Sequence, residues 1–208
     1  MITLSIATAN QGKIEEFRKL FPEFEVFSLS NFPELGEIIE DGLSFEENAI
    51  KKASVLATHT GELALADDSG LEVDALNGEP GIYSARYSGT PHDFDKNIKK
   101  LLKNLENTPD VERTARFRCV IALINPKEKT DGSPRIVTVK GVVEGVILKD
   151  LRGKNGFGYD PVFYSPELGK TFAEADPNEK HSVSHRARAV QKIMPYLRDL
   201  ASTRIARA

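Results

Sequence analysis

The order of strand-like and helix-like segments constrains the fold of this chain more than any other feature of its sequence. Four segments alternate first, and two long strand-like segments then follow one another. In chain order they are a strand at Ile2–Ala7, a helix capped by Asn10, a strand at Glu25–Leu29, a helix opening at Ser44, and the strands Ala115–Ile124 and Ile136–Ile147. Alternation followed by adjacent strands predicts an α/β fold with a mixed sheet.

The pattern is weaker between and after these segments. Leu63–Ala66 and Leu71–Ala75 are predicted to be two short buried strands. Asn125–Arg135 is rich in Lys, Pro and Asp, which is typical of a loop. A last helix begins near Ser184, and Pro195 predicts that this helix is kinked or ends early.

Composition excludes several classes of protein. The chain has 208 residues without a repeat or flexible linker, so one domain over residues 1–208 is predicted. The longest stretch without Asp, Glu, Lys or Arg, Met1–Gly12, is too short and too polar for a bilayer and lacks the basic segment of a signal peptide. This predicts a soluble, cytoplasmic protein with no membrane partner. A pI of about 5.9 without Trp argues against a nucleic-acid partner. The single cysteine, Cys119, excludes an internal disulfide.

Charge is distributed unevenly along the chain. Between Leu20 and Arg86 there are 14 acidic residues, and the only bases before Arg86 are Lys51 and Lys52. From Lys180 onward, seven Lys and Arg residues face one acid. One interpretation is a pair of solvated faces of opposite sign. The other is a site in which carboxylates hold a cation while basic side chains meet an anionic substrate.

The segment Thr8-Ala9-Asn10-Gln11-Gly12-Lys13 follows the first predicted strand and enters a helix. A helix N-terminus offers unpaired backbone N–H groups and a favourable dipole, and Lys13 adds a full positive charge, which together favour phosphate. The spacing is not that of a Walker A loop. An ordinary capped turn is the alternative interpretation.

Ala66-Asp67-Asp68-Ser69-Gly70 lies between the two short predicted strands. Neighbouring carboxylates repel, so they require a cation, hydrogen-bond donors or solvent. Mg²⁺ prefers one or two carboxylates together with phosphate oxygens, and Glu40 is a third acid in a stretch without bases. A structural turn is an equally open interpretation here.

Two further segments suggest ligand binding. Gly156-Phe157-Gly158-Tyr159-Asp160-Pro161 places two aromatics among glycines, where a base can stack while polar groups bind its edge. His185 and Arg186 stand at the start of the last predicted helix, where cations oppose the helix dipole, which suggests a ligand. A packed surface turn and a solvated Lys180 are the alternatives.

Taken together, these segments resemble the inosine triphosphatase family, the XTP/dITP pyrophosphatases that remove noncanonical purine nucleotides. The order and spacing match from the first strand to the last helix. The matching segments are TANQGK at 8–13, FEENA at 45–49, ADDSGLEVDAL at 66–76, PGIYSARYSG at 80–89, FRCVIAL at 117–123, GFGYDPVF at 156–163, KTFAE at 170–174 and SHRARA at 184–189.

The resemblance implies an α/β fold with a long curved mixed sheet, flanking helices and two lobes around a central cleft. It also implies a homodimer that hydrolyses ITP, dITP and XTP to the monophosphate and pyrophosphate, with Mg²⁺ as cofactor. Glu40 and Asp68 match the metal ligands, and Asp68 also matches the proton acceptor. The positions that match substrate contacts are Thr8, Ala9, Asn10, Gln11, Gly12, Lys13, Ser69, Phe157, Gly158, Tyr159, Asp160, Lys180, His185 and Arg186.

Two other functions remain open at this point. A Maf-like pyrophosphatase would cleave the same bond in pyrimidine or modified nucleotides. A nucleotide sensor without turnover would bind the same ligand, although a sensor has no need for the acids at 40, 67 and 68 together with Lys13. In the pyrophosphatase interpretation, Arg186 or a backbone N–H would meet the 6-keto group that distinguishes these purines from adenine.

Overall fold

The computed structural model describes residues 2–205, and the side chains of residues 3–200. The strands are β1 (Ile2–Ile6), β2 (Phe24–Ser28), β3 (Ala64–Val73), β4 (Thr114–Thr130), β5 (Ser133–Ile147), β6 (Phe163–Ser165) and β7 (Lys170–Thr171). The α-helices are α1 (Gln11–Leu20), α2 (Phe45–Thr60), α3 (Phe94–Asn104), α4 (Pro177–Val183) and α5 (His185–Ile205). The strands form one sheet in the order β2-β1-β3-β4-β5-β6-β7, which confirms the predicted mixed α/β class.

The chain divides into two compact units. Unit 1 contains the chain up to Asp68, Val120–Lys140 and the part from Ala189 onward. Unit 2 contains Ser69–Cys119 and Gly141–Arg188. The division falls within β3, β4 and β5, so each of these strands contributes residues to both units.

Unit 1 is built on parallel strands. β1 pairs in parallel with β2 and with β3, and α1 is the crossover that joins β1 to β2. The helix α1 buries Ile14 and Phe17, and the Phe17 ring stacks on that of Phe21 at 5.7 Å. The helix α2 begins after Ser44, whose side chain accepts a hydrogen bond from the Glu47 backbone, and ends at Gly61 in the left-handed conformation.

Unit 2 is antiparallel where its strand pairs are defined, with β6 between β5 and β7. Its core is aromatic: the rings of Phe117, Phe163 and Phe172 lie with centroids 4.6 to 5.9 Å apart. The helix α3 packs Ile98 and Leu101 into this same core. The aromatic core therefore provides a rigid base for the loops of this unit.

Two predictions about strands are wrong. The segments Leu63–Ala66 and Leu71–Ala75 are not separate strands, because Ala64–Val73 is continuous through both aspartates. Tertiary burial here overrides the turn preference of Asp and Gly. The predicted loop Asn125–Arg135 is the tip of a β-hairpin, with Asp131 and Gly132 at φ 52° and 83° in a two-residue turn.

The last helix does not end early at Pro195. It runs from His185 to Ile205 with Pro195 inside it. Burial of an apolar stripe that includes Val190, Ile193 and Leu197 compensates for the hydrogen bond that proline removes. Over the residues that the structure describes, no helix combines the length and the apolar character needed to cross a bilayer.

Candidate active site

Five charged side chains of unit 1 form what we call the carboxylate cluster: Lys13, Glu40, Lys52, Asp67 and Asp68. Both aspartates lie within β3 and are buried. Lys13, in the first turn of α1, places its Nζ 3.0 Å from Asp67 Oδ2. Lys52, on α2, places its Nζ 2.6 Å from Glu40 Oε1 and 3.2 Å from Asp68 Oδ1. Two lysines and three carboxylates thus meet with a formal charge of −1.

The predicted phosphate segment, residues 8–13, forms the loop after β1 and the first turn of α1. Asn10 caps the helix, since its Oδ1 accepts the Lys13 N–H at 3.1 Å. The Thr8 hydroxyl accepts the Asn10 N–H at 3.2 Å and so holds the loop before the helix. The N–H groups of Gln11 and Gly12 have no partner inside the helix, as in any first turn. Ala9 is exposed in the same loop.

A second group of site residues lies in unit 2, and we call Phe157, Asp160, Lys180, His185 and Arg186 the aromatic cluster. Asp160 and Lys180 are both buried and form an ion pair of 2.6 Å. Asp160 Oδ2 also accepts the Phe157 N–H at 2.9 Å. The Lys180 ammonium lies 4.9 Å from the centre of the Phe157 ring.

The other two members of the aromatic cluster begin α5. The His185 ring stacks on Phe117 with a centroid distance of 4.8 Å and an interplanar angle of 13°. Arg186 is 1% exposed, and its Nη2 donates to Ser69 Oγ at 2.9 Å. His185 and Arg186 therefore lie in the first turn of α5, at the helix start where the sequence placed them.

Tyr159 and Gly158 complete the predicted base-binding loop. The Tyr159 hydroxyl donates to the Ser84 carbonyl at 2.9 Å, and burial raises the pKa of this phenol. Its side chain is thus an anchor of the loop in the core. Gly158 adopts φ +65°, and a Cβ at this position would lie 3.7 Å from the Phe94 ring.

Comparison with known proteins identifies the family of this chain. A model of the Ham1 family matches residues 4–196. A Desulforamulus reducens protein named dITP/XTP pyrophosphatase is 53% identical over 199 residues, which cover 95% of this chain and 96% of that protein. The chain belongs to the Ham1 family.

Solved structures of Ham1 proteins share the fold. The Staphylococcus aureus Ham1 protein matches with a TM-score of 0.82 and 43% identity, covering 95% of this chain and 98% of that one. A HAM1 protein from Coxiella burnetii matches with a TM-score of 0.83 and 41% identity, covering 96% and 100%. The fold class and the family resemblance predicted from the sequence are therefore confirmed.

Burial and neighbouring charges shift the pKa values of the carboxylate cluster of this Ham1 protein in opposite directions. Burial raises the pKa of Asp68, and the nearby charges of Lys52 and Lys13 offset this only in part. Burial also acts to raise the pKa of Glu40, but the charge and hydrogen bond of Lys52 prevail and lower it. Burial acts to lower the pKa of Lys52, yet the surrounding carboxylates raise it. Lys52 is therefore held as an ammonium.

The donor set of the carboxylate cluster is compatible with Mg²⁺. Among the residues that the structure describes, no three His, Cys, Asp or Glu side chains are arranged to hold a metal ion by themselves. Glu40 and Asp68 do, however, both contact one positive group, the Lys52 ammonium. Mg²⁺ is held by one or two carboxylates when phosphate oxygens and water supply its other ligands. These two carboxylates meet that requirement.

Two polar side chains of this site, Asn48 and Lys52, were not predicted from the sequence. Both lie on the buried face of α2, and Asn48 Nδ2 donates to Asp68 Oδ2 at 3.1 Å. The signal was present, because residues 45, 49, 53 and 56 define that face and positions 48 and 52 fall within it. Polar residues on a predicted core face are candidates for a site.

Proposed function

We propose that this protein hydrolyses noncanonical purine nucleoside triphosphates, namely ITP, dITP and XTP, to the monophosphate and pyrophosphate with Mg²⁺ as cofactor. The observation that carries the proposal is the carboxylate cluster of unit 1. In this cluster, beside a helix N-terminus, Lys13 pairs with Asp67 and Lys52 pairs with both Glu40 and Asp68. The relative from Desulforamulus reducens, which is named dITP/XTP pyrophosphatase, supports the assignment.

Different members of the carboxylate cluster would have different roles in the hydrolysis. The α1 N-terminus and Lys13 would bind the phosphate oxygens, since backbone N–H groups and an ammonium both favour anions. Asp68 would orient the water that attacks the α-phosphorus and would accept its proton while the bond to the bridging oxygen breaks. Glu40 and Asp68 would hold Mg²⁺, which supplies charge stabilisation on the phosphate oxygens.

The aromatic cluster of unit 2 is assigned to the base. Phe157 offers a ring for stacking, and the buried pair of Asp160 and Lys180 holds that ring in place. Arg186 carries donors that match the acceptor of a 6-keto purine. Adenine presents an amino donor at the same position, and pairing donor with donor costs about 1–3 kcal/mol for each buried group left unsatisfied.

A panel of nucleotides tests this proposal. The protein is incubated with dITP, XTP, ITP, GTP, ATP and dTTP, with and without Mg²⁺, and the products are resolved by chromatography. We expect Mg²⁺-dependent monophosphate and pyrophosphate from the first three, far faster than from ATP. Release of orthophosphate, or preference for dTTP, would assign the site to other nucleotide chemistry. Tight binding of ITP without any product would favour the alternative function, a nucleotide sensor without turnover.

We also propose that the protein is a homodimer and acts in the cytoplasm. A homodimer in the cytoplasm would act directly on the nucleotide pool and remove noncanonical triphosphates before their use. Sedimentation of the purified chain measures the assembly, and a monomer at micromolar concentration would overturn that part alone. Fractionation of cells that express the chain measures its location, and recovery outside the cytoplasm would overturn that part.

A further inference from the structure

Asn48 is a fully buried amide that contacts Asp68 but carries no charge. It lies on α2 one turn before Lys52 and is 0% exposed. Its Oδ1 accepts the Gly42 N–H at 2.8 Å, and its Nδ2 donates to Asp68 Oδ2 at 3.1 Å. One side chain therefore joins the loop that carries Glu40 to the aspartate of β3.

The orientation of this amide is fixed by chemistry. A backbone N–H can only donate, so the oxygen of Asn48 must face Gly42, and the NH₂ group must then face Asp68. The close approach also requires glycine, because a Cβ on Gly42 would lie 2.7 Å from Asn48 Oδ1. A second bond, from the Leu43 N–H to Glu47 Oε2 at 2.8 Å, fastens the same loop to the start of α2.

The two oxygens of Asp68 consequently have different partners. Oδ2 is held by the neutral amide of Asn48. Oδ1 faces the Lys52 ammonium at 3.2 Å, and that ammonium has a shorter contact, of 2.6 Å, with Glu40. An ammonium on a flexible stem can exchange its partners when a polyanion or a cation arrives, whereas a buried amide bonded at both ends cannot.

We propose that Asn48 is a positioning residue, which fixes the plane of the Asp68 carboxylate through Oδ2 and leaves Oδ1 as the oxygen that acts in the reaction. This inference rests on the proposed function, since it assigns a task to Asp68 during hydrolysis. It extends that function to a residue that does not itself touch the substrate.

Three variants separate positioning from simple support of the fold. Asn48→Ala removes both hydrogen bonds. Asn48→Asp keeps an acceptor for Gly42 but turns a second carboxylate oxygen toward Asp68. The matched control is Asn97→Ala: Asn97 is also fully buried on a helix, and its amide bonds Ser84, Ala85 and Ser88 in unit 2.

Steady-state hydrolysis of dITP and thermal melting are measured for each variant. We expect both Asn48 variants to lose about 10- to 100-fold in kcat, as is typical for residues that orient an active group, with little change in KM. Asn97→Ala is expected to lose stability and keep its kcat. If Asn48→Ala does not fold, the kcat and melting temperature of Asn48→Ser are compared with those of wild type and Asn97→Ala instead.

The outcomes distinguish this inference from the proposed function. If wild type is active and folded Asn48→Ala matches its kcat, or if Asn48→Asp is more active than Asn48→Ala, Asn48 only tethers the loop and the inference is wrong. If wild type releases no pyrophosphate, the proposed function fails, and crystal structures of wild type and Asn48→Ala decide the inference. A rotated Asp68 carboxylate in the variant supports positioning, and an unchanged one overturns it.

Discussion

The carboxylate cluster of unit 1 and the aromatic cluster of unit 2 both contain a buried lysine beside an aspartate, but their charges are balanced differently. Lys180 and Asp160 form one short pair, and Asp160 also holds the Phe157 loop. Lys52 is shared between two carboxylates at unequal distances. A buried pair with balanced charges is suited to holding a loop in a fixed conformation, whereas an excess of carboxylate is suited to exchanging partners with charged ligands.

Asp68→Asn gives the largest effect expected of this comparison. We expect kcat for dITP to fall by about 10²- to 10⁴-fold, because an amide cannot accept a proton from water. The fold should persist, since burial already disfavours the charged form of Asp68 and the amide keeps its shape. Pyrophosphate release measures the rate, and thermal melting measures the stability. A variant with the wild-type rate would show that Asp68 is not the base.

Asp160→Asn tests the other cluster and should act chiefly on stability. It leaves the Lys180 ammonium buried without its counter-ion, which typically costs about 3–5 kcal/mol. Denaturant unfolding measures this loss. Adding Lys180→Met is the matched control, because removing both charges should restore much of the stability. If the single variant is as stable as wild type, the pair does not hold the Phe157 loop.

Phe157→Leu sharpens the comparison at the level of kinetics. Loss of the ring should weaken binding of the base by about 1–3 kcal/mol, so KM for dITP rises by roughly 5- to 150-fold while kcat changes little. The opposite split is expected for Asp68→Asn. A fall in kcat with unchanged KM for Phe157→Leu would contradict the assignment of this ring to base binding.

The smallest effect is expected at the exposed ion pairs of unit 2. Hydrogen bonds from Arg116 and Thr114 lower the pKa of Asp74. The folded pKa lies below the unfolded one, so the stabilisation is present above about pH 4 and is lost as the pH falls through the folded value. Asp74→Asn should therefore cost below about 1 kcal/mol at neutral pH, because the pair is half exposed.

Melting curves of wild type and Asp74→Asn between neutral pH and about pH 3 check this sign. The gap between the two proteins should narrow on acidification. A gap that widens would mean that Asp74 is not stabilised as a carboxylate in the fold.

Local signals in the sequence were enough for the fold class and for several positions of the site. The cap at Asn10, the start of α5 at His185 and the helix opened by Ser44 all depend on neighbouring residues, and the structure has each where it was predicted. The Asp-Gly hairpin turn at residues 131–132 was missed even though its signal is local. Its flanking Lys, Pro and Asp residues suggested a loop, but exposed strands tolerate them.

The alternation of elements, the family and the identity of the charged groups all follow from the amino-acid sequence, because each depends on the type and spacing of residues along the chain. Packing, in contrast, determines that Asp67 and Asp68 continue a buried strand and that Lys52 and Asn48 contact Asp68. Those partners are 16 and 20 residues distant in sequence. Periodicity in the sequence predicts which side chains lie on the buried face of a helix. Which residues they contact depends on where α2 packs against the sheet, and periodicity does not predict that.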